Sequence, residues 1–500
     1  MSKFKEKLEQ YMDAGLPLIY VDTLDYGAVM KTIQVSADRA RRGLIIWDQR
    51  RMRDLQDNIN VEEKESIDSA IDTLLTDHSN LKNKLVVIED VHFFLNKPEV
   101  ISRLREIAND INEGKIEDCT IILLAPLGDI PKELENYMTI LVPEYPTEQE
   151  IKDMILDKIE ENDARPPEKV LLDRMIMILK GLSETAIDTI LSLALADDGS
   201  LDASDLPMIM EQKQQMVKKS GILEMVNVKN SMDDIGGLEI LKDWLMRKAE
   251  IFGNYTTAKE FGVEAPKGVL IAGMPGCGKS LTAEAAANAF HVPLLRMDMG
   301  RLMGKYVGES ESNMRRAIQL TEASEPCVLW IDELEKAFAG IGGGGSEVTT
   351  RLFGTFLTWM QEKKSMVFVI ATANKIQQLP PELLRKGRFD EIFYVELPNK
   401  TERKKIFEIH IKKRRPQDLQ AISKDMNELV EKTEGYCGAD IEGVVREAIE
   451  TAFVKKEDTL SSSDIKEAIK NTNSLSDIMG DDLDKMKKSY EERKFKKASR

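Results

Sequence analysis

The sequence is short of cysteine, has no long apolar run and carries no excess of positive charge, and each shortage excludes a class of protein. Four cysteines occur in 500 residues: Cys119, Cys277, Cys327 and Cys437. None stands in a C-x-x-C pair, so neither a zinc site nor a disulfide framework is expected. Unpaired thiols suit a reducing compartment. H-E-x-x-H does not occur, which sets aside the metalloproteases that use it. No stretch approaches the roughly 18 apolar residues that cross a bilayer, so no membrane span is expected. The first ten residues, MSKFKEKLEQ, put charges where a signal peptide needs an apolar core. These absences point to a cytoplasmic protein, or one in the soluble interior of an organelle. The net charge is −17. A surface that acidic repels phosphate backbones, which makes DNA or RNA a poor default partner.

What is present describes a soluble globular chain of two or three domains, 42% apolar and 31% charged. Residues 1–150 alternate helical patterns with the apolar runs LPLIYVD, GLIIWD, KLVVIEDV and CTIILLAPL. Strands spaced by helices imply a parallel sheet with helices on its faces. Residues 151–225 read as helical. A second α/β stretch, 226–398, carries GVLIAG, VPLLRMD, CVLWIDE, MVFVIATAN and EIFYVEL. Residues 399–474 are again helical. The charged residues 475–500 are expected to form a terminal helix or a solvated tail, with contact to RNA, lipid or an acidic partner left open.

Residues 273–280 read GMPGCGKS and fit G-x-x-x-x-G-K-[ST]. They follow an apolar strand and precede LTAEAAANAF, a strong helix former. Gly276 and Gly278 let backbone N–H groups turn inward, and the helix N-terminus adds its positive end. The expected phosphate-loop contacts are Pro275, Gly276, Cys277, Gly278, Lys279, Ser280 and Leu281. Lys279 is expected on the β- and γ-phosphates and Ser280 on Mg²⁺.

CVLWIDE delivers Asp332 and Glu333 to the carboxyl end of a strand, where α/β sheets bind ligands. Asp332 is expected to hold Mg²⁺, directly or through water, and Glu333 to orient and deprotonate the attacking water. Asn374 ends MVFVIATAN and can position the same water. The loop LPPELLRKGRFDE brings Arg385 and Arg388. Arginine stabilises charge on transferring phosphate oxygens and can be supplied in trans.

Read in order, DDIGGL, GMPGCGKS, KYVGESE, VLWIDE, ATAN, LLRKGRFD, EIH and GYCGAD make residues 230–475 resemble the AAA subfamily of AAA+ ATPases. The resemblance implies a P-loop AAA+ module, a parallel sheet flanked by helices with a helical lid, that binds ATP and Mg²⁺ and hydrolyses ATP. It implies that Asp234, Ile235 and Gly236 lie against the adenine and that His410 contacts the ribose or adenine. Gly438 and Ala439 would complete the base pocket from the lid. Arg385 and Arg388 would reach the next subunit's ATP, which requires a homo-oligomeric ring; six subunits are the family norm. Lys305, Tyr306, Val307 and Gly308 match the pore loop, where an exposed aromatic grips polypeptide, and Gly340–Gly345 fall where relatives have a second pore-facing loop. KKSGILE, FGTFLTWMQEK and LPPELLRKGRFDEIF carry a closer resemblance, to AAA proteins of red-algal-type plastids and cyanobacteria. Those join one intact AAA module to a degenerate N-terminal one, and they imply plastid stroma as the alternative location.

Residues 1–150 contain no phosphate loop, yet KLVVIEDV resembles a Walker B strand ending in Glu89 and Asp90. A degenerate AAA-like domain unable to hold ATP is expected there, with an unrelated α/β partner-binding domain as the alternative. The expected function is a ring ATPase that remodels or threads a protein substrate. A nucleotide-dependent switch or assembly scaffold with slow hydrolysis is the second reading, and acidity disfavours a nucleic-acid motor.

Overall fold

The computed structural model describes residues 2–48, 51–54, 60–63, 71, 81–126, 130–219, 221–302, 309–337, 347–493 and 495–500. The chain divides near Met216 into two compact units, each containing one seven-stranded sheet. Lys305 to Gly308 and Gly340 to Gly345, the expected pore loops, lie outside the described residues.

In the first unit the strands are β1 (Leu18–Asp22), β2 (Gly43–Trp47), β3 (Arg51–Asp54), β4 (Asn60–Glu63), β5 (Lys84–Glu89), β6 (Thr120–Ala125) and β7 (Met138–Leu141). Their order is β4-β3-β2-β5-β6-β1-β7. From β2 to β7 every pairing is parallel, and β3 and β4 add antiparallel at one edge. Successive side chains on a strand point to opposite faces. Leu18 and Tyr20, Val86 and Ile88, Ile121 and Leu123 therefore build one core. Ile19 and Val21, Leu85 and Val87, Ile122 and Leu124 build the other. Burial on both faces explains why these strands read as continuous apolar runs. The helices Glu148–Glu161, Lys169–Leu179, Glu184–Asp198 and Leu206–Lys219 follow. They enclose their own core, including Ile151, Ile155, Met175, Ile187 and Ile209.

The second unit contains β8 (Leu223–Val226), β9 (Gly268–Gly273), β10 (Leu294–Met297), β11 (Cys327–Ile331), β12 (Val367–Ala373), β13 (Glu391–Val395) and β14 (Lys496–Lys497). The order is β14-β13-β9-β12-β11-β10-β8. The five central strands are parallel, and only β8 runs antiparallel. Leaving out the two-residue β14, numbering the five parallel strands of each unit by their sequence order gives 5-1-4-3-2 in both. Val269, Ile271, Val328, Trp330, Phe368, Ile370, Phe393 and Val395 share one buried face. The helices after β13, chiefly Lys400–Arg414 and Gly438–Val454, close on a separate core around Phe407, Ile411, Leu429, Ile441 and Val445.

One segment differs from expectation, and another decides between two expectations. Leu223–Val226, read as the end of a helical stretch, is an edge strand paired with β10. Its four residues sit in a short connection with too little periodicity to declare a strand. Residues 475–500 form the terminal helix rather than the solvated tail, and they add a strand that was not expected. The helix Leu475–Glu492 buries Tyr490, whose ring stacks on Tyr394 with centroids 4.0 Å apart. β14 then pairs with β13. Ala498 is fully buried, and its carbonyl accepts from Ile240 and Leu241 N–H at 3.0 and 3.1 Å. Backbone pairing and two well-placed apolar side chains hold the segment, while exposed Lys496 and Lys497 hide it from a composition reading and blunt the new sheet edge.

Tyr490→Ala is expected to lower the stability of the second unit by about 3 kcal/mol, measured by denaturant unfolding. Tyr490→Phe keeps the stacked ring and should cost only about 1 kcal/mol.

Candidate functional site

Three neighbouring strands of the second sheet, β11, β12 and β9, end at one edge, and each end delivers part of a site. After β9 the chain turns through Met274–Cys277 into the alanine-rich helix Lys279–Phe290. Gly276 and Gly278 hold φ of 71° and 84°, the left-handed region that suits glycine. Lys279 is only 7% exposed. Its Nζ donates to the Gly273 and Met274 carbonyls at 3.0 and 2.7 Å, and burial lowers its pKa. A buried ammonium with loop carbonyls for company is well placed to meet an anion that enters the loop.

After β11 come Asp332 and Glu333. Thr372, on β12 and 1% exposed, ties both down. Its hydroxyl donates to Asp332 Oδ1 at 2.5 Å and accepts from Glu333 N–H at 3.0 Å. Asp332 Oδ1 also lies 3.5 Å from Ser280 Oγ. These hard oxygen donors beside a phosphate loop are the kind that magnesium takes, so the residues fit that ion. After β12, Asn374 donates its side-chain amide to Glu333 Oε1 at 3.2 Å. Its backbone N–H donates to buried Glu335 at 3.0 Å. Lys336 sits 2.5 Å from the other Glu333 oxygen. Glu333 is thus aimed from both sides.

The opposite wall of the cleft comes from two places. Asp234 spends its carboxylate on Ser231, accepting from its N–H at 2.8 Å and hydroxyl at 3.0 Å, and these bonds hold its pKa low. It shapes the turn that presents Ile235 and Gly236. A Cβ on Gly236 would lie 2.4 Å from Ile406 Cγ1, so the turn and the helix Lys400–Arg414 meet closely. His410, on that helix, is half-buried, and burial lowers its pKa. Ala439 N–H donates to Gly276 O at 3.0 Å, which seats the lid helix Gly438–Val454 on the phosphate loop.

Together these residues line one cleft of about 470 Å³. Every expected nucleotide and magnesium contact lies on it: Asp234, Ile235, Gly236, the loop from Pro275 to Leu281, Asp332, His410, Gly438 and Ala439, with Glu333 and Asn374. Arg385 and Arg388 do not line it. Arg385 is exposed, and Arg388 bonds the Glu382 carbonyl. Sequence reasoning missed Leu238, Glu396, Pro398, Glu402, Ile406 and Glu442 on the cleft wall. It also missed Thr372 and Glu335. Thr372 was findable, since it stands two residues before Asn374 and so shares its face. Glu402, which accepts from Leu238 N–H at 3.1 Å and from the Ser499 hydroxyl, was not, because its partners lie far away in sequence.

The first unit has the same strand order but another chemistry at the matching edge. Asp25 caps the helix Tyr26–Ala40, accepting from Ala28 N–H at 3.3 Å. Thr185 adds bonds to the same carboxylate from its N–H and hydroxyl at 3.2 and 2.6 Å. Tyr26, at the first helical position as Lys279 is, donates its hydroxyl to Asp90 at 2.7 Å. Asp90 and Glu333 both follow the third parallel strand with positive φ, 55° and 50°.

A phosphate loop, a paired carboxylate edge and a lid that touches the loop define a P-loop nucleotide-hydrolysing unit of the AAA+ type. Comparison with known proteins carries the assignment further. Residues 269–397 match the ATPase family associated with various cellular activities (AAA), and 423–467 match the AAA+ lid domain. Residues 4–142 and 149–220 match the N-terminal and second domains of SpoVK-like AAA ATPases. The chain is 41% identical over 395 residues to the AAA domain-containing protein ycf46 of Pyropia yezoensis, covering 78% of each. It is 37% identical over 472 residues to ycf46 of Guillardia theta, covering 93% of this chain and 91% of that one. A cell division cycle protein 48 homolog of Archaeoglobus fulgidus matches 45% of this chain at 38% identity, over 31% of its own length. The chain therefore belongs to the AAA ATPases, with SpoVK-like N-terminal domains, and is an ATP-hydrolysing enzyme.

Thr372→Ala should slow turnover about 10- to 100-fold, through the loss of its buried hydrogen bonds to the Asp332 carboxylate and the Glu333 backbone N–H. ATP affinity should change little, and Thr372→Ser should restore the rate. Steady-state hydrolysis and nucleotide titration check this.

Proposed function

We propose that this protein is a ring-forming ATPase that couples ATP hydrolysis to remodelling or threading of a protein substrate. The observation that carries the reading is the convergence of Lys279, Ser280, Asp332, Glu333 and Asn374 on one cleft closed by the lid. Lys279 leaves its loop carbonyls for the β- and γ-phosphates. Ser280 and Asp332 would hold Mg²⁺, which when bound neutralises phosphate charge. Glu333, held by Thr372 and Asn374, takes the proton of the attacking water. Ile235, Gly236, His410, Gly438 and Ala439 hold the base and ribose.

Arg385 and Arg388 stand outside their own chain's cleft, which favours action on a neighbouring subunit's nucleotide and hence a homo-oligomer, most simply a hexamer. The names of relatives support the remodelling role: a cell division cycle protein 48 homolog, and a proteasome-activating nucleotidase of Saccharolobus solfataricus matching 62% of this chain. In this reading Tyr306, flanked by Lys305, Val307 and Gly308, grips the substrate. The first unit is a degenerate AAA-like domain: Asp25 puts a carboxylate of the chain's own where a bound phosphate would sit, and like charges would repel ATP. No described helix is long and apolar enough to cross a membrane; cytoplasm or plastid stroma is the proposed location.

Glu333→Gln should bind ATP and cease hydrolysis, yielding a stable ATP-bound assembly by size-exclusion light scattering; undiminished turnover would remove Glu333 as the base. Arg388→Ala should lose hydrolysis and regain a fraction of it when mixed with Glu333→Gln subunits, whose arginines are intact. No regain at any ratio argues against action in trans. Tyr306→Ala should keep ATPase activity and lose unfolding of a substrate trapped on the Glu333→Gln assembly, whereas a switch or scaffold would be indifferent to it.

A further inference from the structure

Two of the four cysteines stand where the lid meets the phosphate loop. Cys277 is in the phosphate loop, and Cys437 immediately precedes the lid helix Gly438–Val454. A Cβ built on Gly276 would lie 2.6 Å from Cys437 Sγ and 3.6 Å from Cys437 Cβ. The lid thiol therefore occupies the space that the glycine next to Cys277 leaves free. The carbonyl of the peptide joining Gly276 to Cys277 accepts from Ala439 N–H at 3.0 Å, which fixes the two backbones side by side. Cys277 follows Gly276 directly, and its thiol donates to the Pro275 carbonyl at 3.5 Å within the loop. The two cysteines thus stand on adjoining backbones, one in the phosphate loop and one at the start of the lid helix. Cys437 also forms a capping box with Asp440 at the start of the helix, a place that a serine fills as well.

We propose that Cys277 and Cys437 are a redox modification site, forming a disulfide that staples the lid to the phosphate loop and stops turnover. The inference rests on the reading of this cleft as the ATP site. A low-molecular-weight disulfide supplies the oxidising equivalents. One protein thiolate attacks a sulfur of that disulfide, forming a mixed disulfide and expelling one small thiolate. The other cysteine's thiolate then attacks the protein sulfur of the mixed disulfide and expels the second small thiolate. Two protein thiols become one disulfide, the small disulfide becomes two thiols, and the two cysteine protons end on them. Burial pushes the Cys277 thiol up to about 12 and the Cys437 thiol up to about 11. Little thiolate is present at neutral pH, so the bond forms slowly and needs sustained oxidant at alkaline pH. Once formed, the bond holds the lid on the loop, so the cleft cannot open to exchange nucleotide.

The test treats the nucleotide-free full-length chain with oxidised glutathione at mildly alkaline pH, blocks remaining thiols and maps peptides by mass. The expected result is a Cys277–Cys437 cross-linked peptide, ATPase activity lowered at least tenfold, and recovery of both on adding a dithiol. Cys437→Ser, which keeps the helix cap, should be as active as the parent when reduced and keep that activity under oxidant. Recovery of both thiols free, or each carrying glutathione, overturns the proposal. So does equal oxidative loss in Cys437→Ser, which would assign the effect to Cys277 alone, or a cross-link that leaves turnover intact. Peptide mapping needs no catalysis, so a chain inactive even when reduced would count against the ATPase reading and still leave the disulfide result legible.

Discussion

The account depends on the hydroxyl of Thr372. It sits at the carboxyl end of β12, between the phosphate loop after β9 and the acidic pair after β11. With one oxygen it donates to Asp332 and accepts from Glu333 N–H. That bond pair fixes which carboxylate faces Ser280 and which faces Asn374. Two adjacent acids could each serve either role; a buried, oriented partner separates them. The parallel sheet makes this possible, because parallel strands collect their carboxyl ends, and the helix N-terminus after the loop, on one edge.

A second set of contacts makes the proposed base pocket depend on distant parts of the second unit. Glu402 takes part in a capping box with Asn399, accepts from Leu238 N–H and accepts from the Ser499 hydroxyl. One buried carboxylate therefore joins the lid, the turn at Ile235–Gly236 and the chain end. Tyr490 reaches the catalytic edge too, donating its hydroxyl to the Asn374 carbonyl at 3.2 Å. The terminal segment is bonded both to the sheet edge and to the residue that orients Glu333.

Much of this was legible beforehand because local chemistry announces itself. GMPGCGKS needs no partner to be read, and the apolar runs became the expected strands in both units. The terminal strand was hidden because Lys496 and Lys497 are charged and the segment's anchors, Tyr490 and Ala498, are spaced without a period. Glu402 was hidden because its meaning lies in Leu238 and Ser499, neither near in sequence. The shared 5-1-4-3-2 strand order was equally invisible: the two units have no strong sequence self-similarity, and only pairing reveals it. Asp25 reads from sequence as an ordinary helix cap; its place at the edge matching the phosphate loop emerges from that order. The expected pore loops stay as expectations, since they lie outside the described residues.

One measurement bears most directly on the central claim that a single cleft, built on Lys279 and Asp332, binds nucleotide while the first unit holds its own carboxylate instead. Calorimetric titration of the Glu333→Gln chain with ATP and magnesium should give one site per chain, and none when Lys279→Ala is added. Two sites per chain, or one site that survives Lys279→Ala, would contradict it.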